Sequence, residues 1–263
     1  MSAYKAEQLY TWLYRIHDPL DVYFYLIVGN DKALLFDTGF GAGDIPETVG
    51  KLTDKPLTVV LGHGHLDHAN GAYQFGEAYL HEADFELCRA HTSPETRDIV
   101  LKRLAEAGKE PRFDPAVWRE AGTGNLKKLD FGTVFDLGGL HIEVIDMAGH
   151  TPGSAGLLIT EHRVLLDSDS ANGHCWFFFP EARPLREYAA MLERVKKLEF
   201  DIFFTAHNLE AYPKSFFDRY LTAAQNASID KSEPYNVYPE LEPYIYTEDG
   251  VSIVFNKRTR ASS

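Results

Sequence analysis

The stretch Leu57-Thr-Val-Val-Leu-Gly-His-Gly-His-Leu-Asp-His-Ala-Asn-Gly71 constrains this chain more than any other. Residues 57–61 form an apolar, partly β-branched run and read as a strand. Directly behind it come His63, His65, Asp67 and His68, and Asn70-Gly71 closes the turn. His63 and His65 are two apart, so in extended backbone they project from the same side. Asp67 and His68 follow where a bending chain can aim both back at a shared centre. Imidazoles packed this densely repel one another when protonated, and a bound cation removes that cost by selecting the neutral ring. A histidine-rich surface turn is the plainer alternative.

Three further strand ends weigh against that alternative. Val144-Ile-Asp-Met-Ala-Gly-His150-Thr-Pro-Gly153 is a strand ending in a glycine-flanked histidine. Arg163-Val-Leu-Leu-Asp-Ser-Asp169 ends in acidic residues, and Asp201-Ile-Phe-Phe-Thr-Ala-His207 in a histidine. Each candidate sits where an apolar strand becomes loop, which is where rigid scaffolds present functional groups. Agreement among four separated segments is the signal; no single one carries it.

These residues resemble a known family. His63-Gly-His65-Leu-Asp67-His68 matches the His-x-His-x-Asp-His signature of the metallo-β-lactamase superfamily. Gly149-His150-Thr-Pro-Gly-Ser154 is similar to its second metal motif. Asp169 falls where the family places its metal-bridging aspartate, and His207 where it places its last histidine. Asp37-Thr-Gly39, behind a strand at 33–36, resembles the early Asp-x-Gly turn. The chain departs twice from the pattern: Ser168 stands where glycine is usual, and Thr-Ala-His207-Asn replaces Pro-Gly-His-Gly. The resemblance implies an α/β fold, a four-layer αβ/βα sandwich, over a single domain spanning 1–263. A helical insertion is expected at about 82–130 and a C-terminal extension from about 210.

The remaining sequence is consistent with that expectation. At 263 residues, 44% hydrophobic and 25% charged, the chain can bury a sizeable core. A net charge of −13 argues against a nucleic-acid partner, which needs basic patches. No apolar run approaches membrane-spanning length and no leader precedes the first strands, so a cytoplasmic protein without a membrane partner is expected. Cys88 and Cys175 are too few and too far apart for a disulfide framework. Helical patterns at 83–90, 94–107, 184–198 and 214–226 are expected, the third with Leu185, Tyr188, Leu192 and Val195 on one stripe. Residues 251–255 read as a strand and 257–263 as a frayed end. Trp118 and Phe113 are candidates for either pocket wall or core, and His162 for an exposed turn.

The resemblance also implies a chemistry. His63, His65 and His150 would hold one ion, Asp67, His68 and His207 another, with Asp169 bridging. This nitrogen/oxygen set suits two Zn²⁺, with Fe or Mn as alternatives. A metal-bridging hydroxide would attack a thioester, lactone or ester carbonyl, with Asp67 as proton shuttle. Asp37 is expected to hydrogen-bond a ligand. Trp176, Phe177 and His174 lie in the aromatic run after Asp169 and are candidates for the substrate pocket. The substrate is expected to be a small molecule, and self-association into a homodimer stays open. A mononuclear iron enzyme of the persulfide dioxygenase kind and a phosphodiesterase are the alternatives.

Overall fold

The computed structural model describes residues 4–109 and 114–260; Phe113 lies outside them. The chain gathers into two compact units, residues 1–144 and 145–263.

The first unit begins with β1 (Lys5–Tyr10), β2 (Leu13–His17), β3 (Tyr23–Val28) and β4 (Ala33–Phe36), a run of antiparallel neighbours. From β4 the sheet turns parallel. Helix α1 (Ile45–Gly50) leads to β5 (Leu57–Val60), and the short α2 (Leu66–Ala69) leads to β6 (Ala78–His81). Helices α3 (Phe85–His91), α4 (Pro94–Glu106) and α5 (Pro115–Arg119) then precede β7 (Leu126–Leu129), the parallel edge strand of a seven-stranded sheet. β8 (Val134–Asp136) pairs antiparallel with β9 (His141–Asp146), inside which the division between the units falls. All four residues of β4 are buried, as in a strand covered on both faces. Phe24, Leu26, Leu35, Val59, Leu80 and Cys88 anchor this unit's apolar core. Asp37 and the 61–68 loop follow the C-terminal ends of adjacent parallel strands, where open α/β sheets present ligand sites.

In the second unit β10 (Ala155–Ile159) pairs antiparallel with β11 (Val164–Leu166). After β12 (His174–Trp176) and α6 (Leu185–Val195), β13 (Ile202–Phe204) joins β11 in parallel. β14 (Tyr212–Pro213) and α7 (Phe216–Asn226) follow. β15 (Glu233–Pro234), β16 (Tyr244–Glu248) and β17 (Val251–Phe255) complete a second sheet of order β12-β17-β16-β15. The α6 stripe is as expected, with Leu185, Tyr188, Leu192 and Val195 buried beside Phe217 and Tyr220 of α7. The frayed end expected at 257–263 is instead a helical turn, α8 (Lys257–Arg260), over its described part. Asn256 explains the difference: its Oδ1 accepts from the Thr259 amide at 3.2 Å, a cap that starts the turn. The fold is mixed α/β, as expected.

Candidate metal centre

In the first unit the site grows from β5. Its apolar residues end at Leu61, and the chain then turns through Gly62-His63-Gly64 into α2. His63, His65 and His68 are 1%, 5% and 0% exposed, whereas Asp67 is half-buried. Two ligands on one cation at about 2.1 Å and angles of 90–110° stand about 3.0–3.4 Å apart. His63 Nε2 lies 3.1 Å from His65 Nδ1, within that range. His68 Nε2 lies 3.6 Å from Asp67 Oδ2, slightly wider. Asp37 sets the orientation of His68. Its Oδ2 is 3.0 Å from His68 Nδ1 and its Oδ1 accepts from the Gly62 amide at 2.6 Å. An ionised carboxylate only accepts, so Nδ1 carries the proton and Nε2 keeps its lone pair for a cation. Thr38 adds a hydroxyl donated to the His68 carbonyl at 2.7 Å.

Two residues that the sequence reading missed support this loop. The Gly64 amide donates to Asp84 Oδ2 at 3.0 Å. A Cβ on Gly64 would come within 2.9 Å of the Asp84 carbonyl and the Cys88 amide, so only glycine allows the approach. His91 accepts from the Leu66 amide at 3.2 Å and stacks on His65 with ring centroids 4.8 Å apart. Asp84, Cys88 and His91 are spaced i, i+4, i+7, a helix-face signal present in the sequence but hidden among neighbouring charges.

In the second unit β11 and β13 run parallel, and Asp169 and His207 follow their C-terminal ends. His207 Nε2 is 3.1 Å from Asp169 Oδ2, and His150 Nε2 is 3.8 Å from the same oxygen. His150 and Asp169 are 4% and 8% exposed, while the His207 side chain is 32% exposed and forms the open side. His150 Nδ1 is 2.7 Å from the Trp176 carbonyl, which likewise only accepts, so here too Nε2 is turned outward. The departures from the family pattern have local accounts. Ser168 adopts φ 56°, the left-handed region that glycine enters without steric cost. At the last histidine, buried Thr205 builds the turn: its hydroxyl accepts from the His207 amide at 3.4 Å and from Asn208 Nδ2 at 3.1 Å.

The pocket candidates divide. Phe177 is fully buried with its ring centroid 4.3 Å from that of Tyr188, so it is core rather than pocket wall. Trp176 is half-buried and His174 exposed. Trp118 is also core, at 1% exposure, and His162 is exposed. Both cysteines are free and buried, and burial pushes each thiol up to about 12.

Clustered imidazole and carboxylate donors at the ends of buried strands define the class: a metal-binding α/β protein. The comparisons refine it. Residues 17–84 match the family model for the metallo-beta-lactamase superfamily. The acyl-coenzyme A thioesterase MBLAC2 of Bos taurus is 27% identical over 187 residues, 66% of this chain and 67% of that one. The hydroxyacylglutathione hydrolase GloC of Haemophilus influenzae is 26% identical over 148 residues, 55% of this chain and 64% of that one. A metallo-beta-lactamase family protein from Thermus thermophilus superposes with TM-score 0.59 at 22% identity, over 83% of this chain and 81% of that one. A metallo-beta-lactamase from Pontibacter korlensis gives TM-score 0.59 at 16% identity, over 85% and 100%. Over residues 17–84 the chain is similar to the metallo-β-lactamase superfamily, and relatives named as metallo-hydrolases, a thioesterase and a hydroxyacylglutathione hydrolase support a metal-dependent hydrolase.

Proposed function

We propose that the chain is a dinuclear zinc hydrolase that cleaves a thioester, with lactones and other esters as the neighbouring substrate classes. His63, His65 and His150 would hold one ion and Asp67, His68 and His207 the other, with Asp169 as the shared ligand. One observation carries this reading. In each unit an acceptor-only group, the Asp37 carboxylate or the Trp176 carbonyl, fixes the Nδ1–H of a histidine whose Nε2 faces a carboxylate. The donor set is nitrogen and oxygen throughout, which suits zinc. The thioester follows from the names of the two relatives above, whose substrates are acyl-coenzyme A and hydroxyacylglutathione.

Divalent ions bound there supply a water made nucleophilic near neutral pH and polarisation of the carbonyl. The protein's own groups do the rest. Buried His63, His65 and His68 exclude bulk water from one side, which strengthens every charge interaction within. Asp67, the half-buried carboxylate of the set, takes the proton at Oδ and passes it to the leaving group. Trp176 offers apolar surface to the acyl group, and His174 stands at its rim. The two free cysteines are in keeping with a reducing, cytoplasmic setting.

Elemental analysis combined with a panel of acyl-coenzyme A and glutathione thioesters, lactones and bis(p-nitrophenyl) phosphate tests this. Two zinc per chain and thioester turnover are expected, with kcat/KM falling at least about 100-fold in His68→Ala. One iron per chain without hydrolysis, or turnover of the phosphodiester alone, rejects the reading.

A further inference from the structure

We propose that the C-terminal segment around Asn256 and Arg258 is a positioning device for His150, acting through the loop 176–183. The inference rests on His150 being a ligand, as argued above.

That loop is held along two edges. One edge meets the His150 turn, where the Trp176 carbonyl takes the His150 Nδ1 proton at 2.7 Å and the Arg183 amide donates to the Gly149 carbonyl at 2.8 Å. The other edge meets the last strand and helix of the chain. The Phe177 amide donates to the Val254 carbonyl at 2.6 Å, continuing the parallel pairing of β12 with β17. Asn256 Nδ2 donates to the Phe178 carbonyl at 2.9 Å and to the Leu241 carbonyl at 3.3 Å. Arg258 donates to the Ala182 carbonyl at 2.9 Å and, through its other terminal nitrogen, to the Phe179 carbonyl. The rings of Phe177 and Phe178 are fully buried, so the loop cannot slide along its length.

Backbone groups at 177, 178, 179 and 182 are thus engaged by residues 254–258. The carbonyl left at the loop's start, that of Trp176, is the one that orients His150. A carbonyl held in place fixes both the tautomer and the ring plane of the histidine it binds, which sets the metal affinity of the opposite nitrogen. The guanidinium of Arg258 therefore serves the backbone of this loop, not an anionic substrate.

Zinc affinity of the folded full-length protein, measured by chelator competition, tests the proposal. Asn256→Asp puts a carboxylate opposite two carbonyls while leaving the acceptor for Thr259 in place. Arg258→Met removes both donated bonds from an exposed side chain, so folding survives. Each is expected to weaken one of two bound zinc ions by ten- to a hundredfold and leave the other unchanged. Lys257→Ala, on the exposed side of the same turn and paired with Glu242 at 3.7 Å, is expected to bind both ions like wild type. A merely structural role would lower the melting temperature of the metal-free protein and leave zinc affinity unaltered. Folded variants with wild-type affinity for both ions overturn the inference alone. If Asn256→Asp fails to fold, Arg258→Met decides by itself. Wild-type protein that binds no zinc overturns the functional reading and this inference with it.

Discussion

Asp37 sits at φ 66°, a conformation that costs a non-glycine residue about 1–2 kcal/mol. Strain of this kind persists where surrounding bonds over-determine it, and here the Gly62 amide and His68 do so. The nearby Asp18 is a different case. It is 3% exposed, and its two oxygens accept from the Leu20 and Phe40 amides at 3.0 Å each. Burial raises its carboxyl from 3.8 to about 7, against the lowering by those two amides. Between about pH 4 and 7 the folded chain therefore holds a proton that the unfolded chain has released. Stability from this group is complete below pH 3.8 and is lost as pH rises towards 7. In metal-free protein, the unfolding free energy of wild type minus that of Asp18→Asn is expected to fall by about 1.4 kcal/mol per pH unit across that window. Urea titrations at several pH values check it, and a difference independent of pH rejects it. Asp37 was legible because a strand and an Asp-x-Gly turn announce it. Asp18 was not, because its burial depends on the Gly39-Phe40 turn folding over it.

At the scale of elements, the helices between β6 and β7 are tied to the loop that carries Asp67 and His68 by Arg97 of α4. This residue is 0% exposed. It donates to Asn70 Oδ1 and to the Asn70 carbonyl, both at 3.2 Å, to the Gly122 carbonyl at 2.8 Å and to the Trp118 carbonyl. The rings of Tyr73 and Trp118 flank the guanidinium with centroids 5.1 Å away. Burial lowers its pKa to about 10, still far above neutrality, so the charge remains. Asn70 ends α2, the helix that carries Asp67 and His68, so α4 and α5 brace that helix from outside. Arg97→Met takes away the donors to the Asn70 carbonyl, the Asn70 side-chain oxygen and the Gly122 carbonyl, and about 3 kcal/mol of stability should be lost, read as a lower urea midpoint. A loss under about 1 kcal/mol would remove this bracing role. Helices α3 and α4 were readable from their patterns. Within Thr96-Arg97-Asp98, however, the arginine reads as one charge on a solvated face, and only the carbonyls of Asn70, Trp118 and Gly122 bring it inside.

For the molecule as a whole, each unit has its own apolar core and carries its own imidazole–carboxylate pairs. If ions bind the folded chain and not the unfolded one, chelation should lower the melting temperature and zinc should restore it. At a free metal concentration a thousand times Kd the stabilisation is about 4 kcal/mol per site. A melting temperature indifferent to chelator and zinc would contradict the metal-centred reading. The linear chain by itself determined which strands are buried and which side chains stand at their ends, because alternation, apolar runs and donor spacing are local properties. It also carried the resemblance to a family, since the histidine and aspartate motifs lie in fixed order. Only the tertiary structure decided which nitrogen of each histidine faces a carboxylate, that Phe177 belongs to the core, and that Asn256 and Arg258 hold the loop behind His150. Those facts depend on carbonyls and carboxylates that are distant in sequence, and folding alone brings them within hydrogen-bond reach.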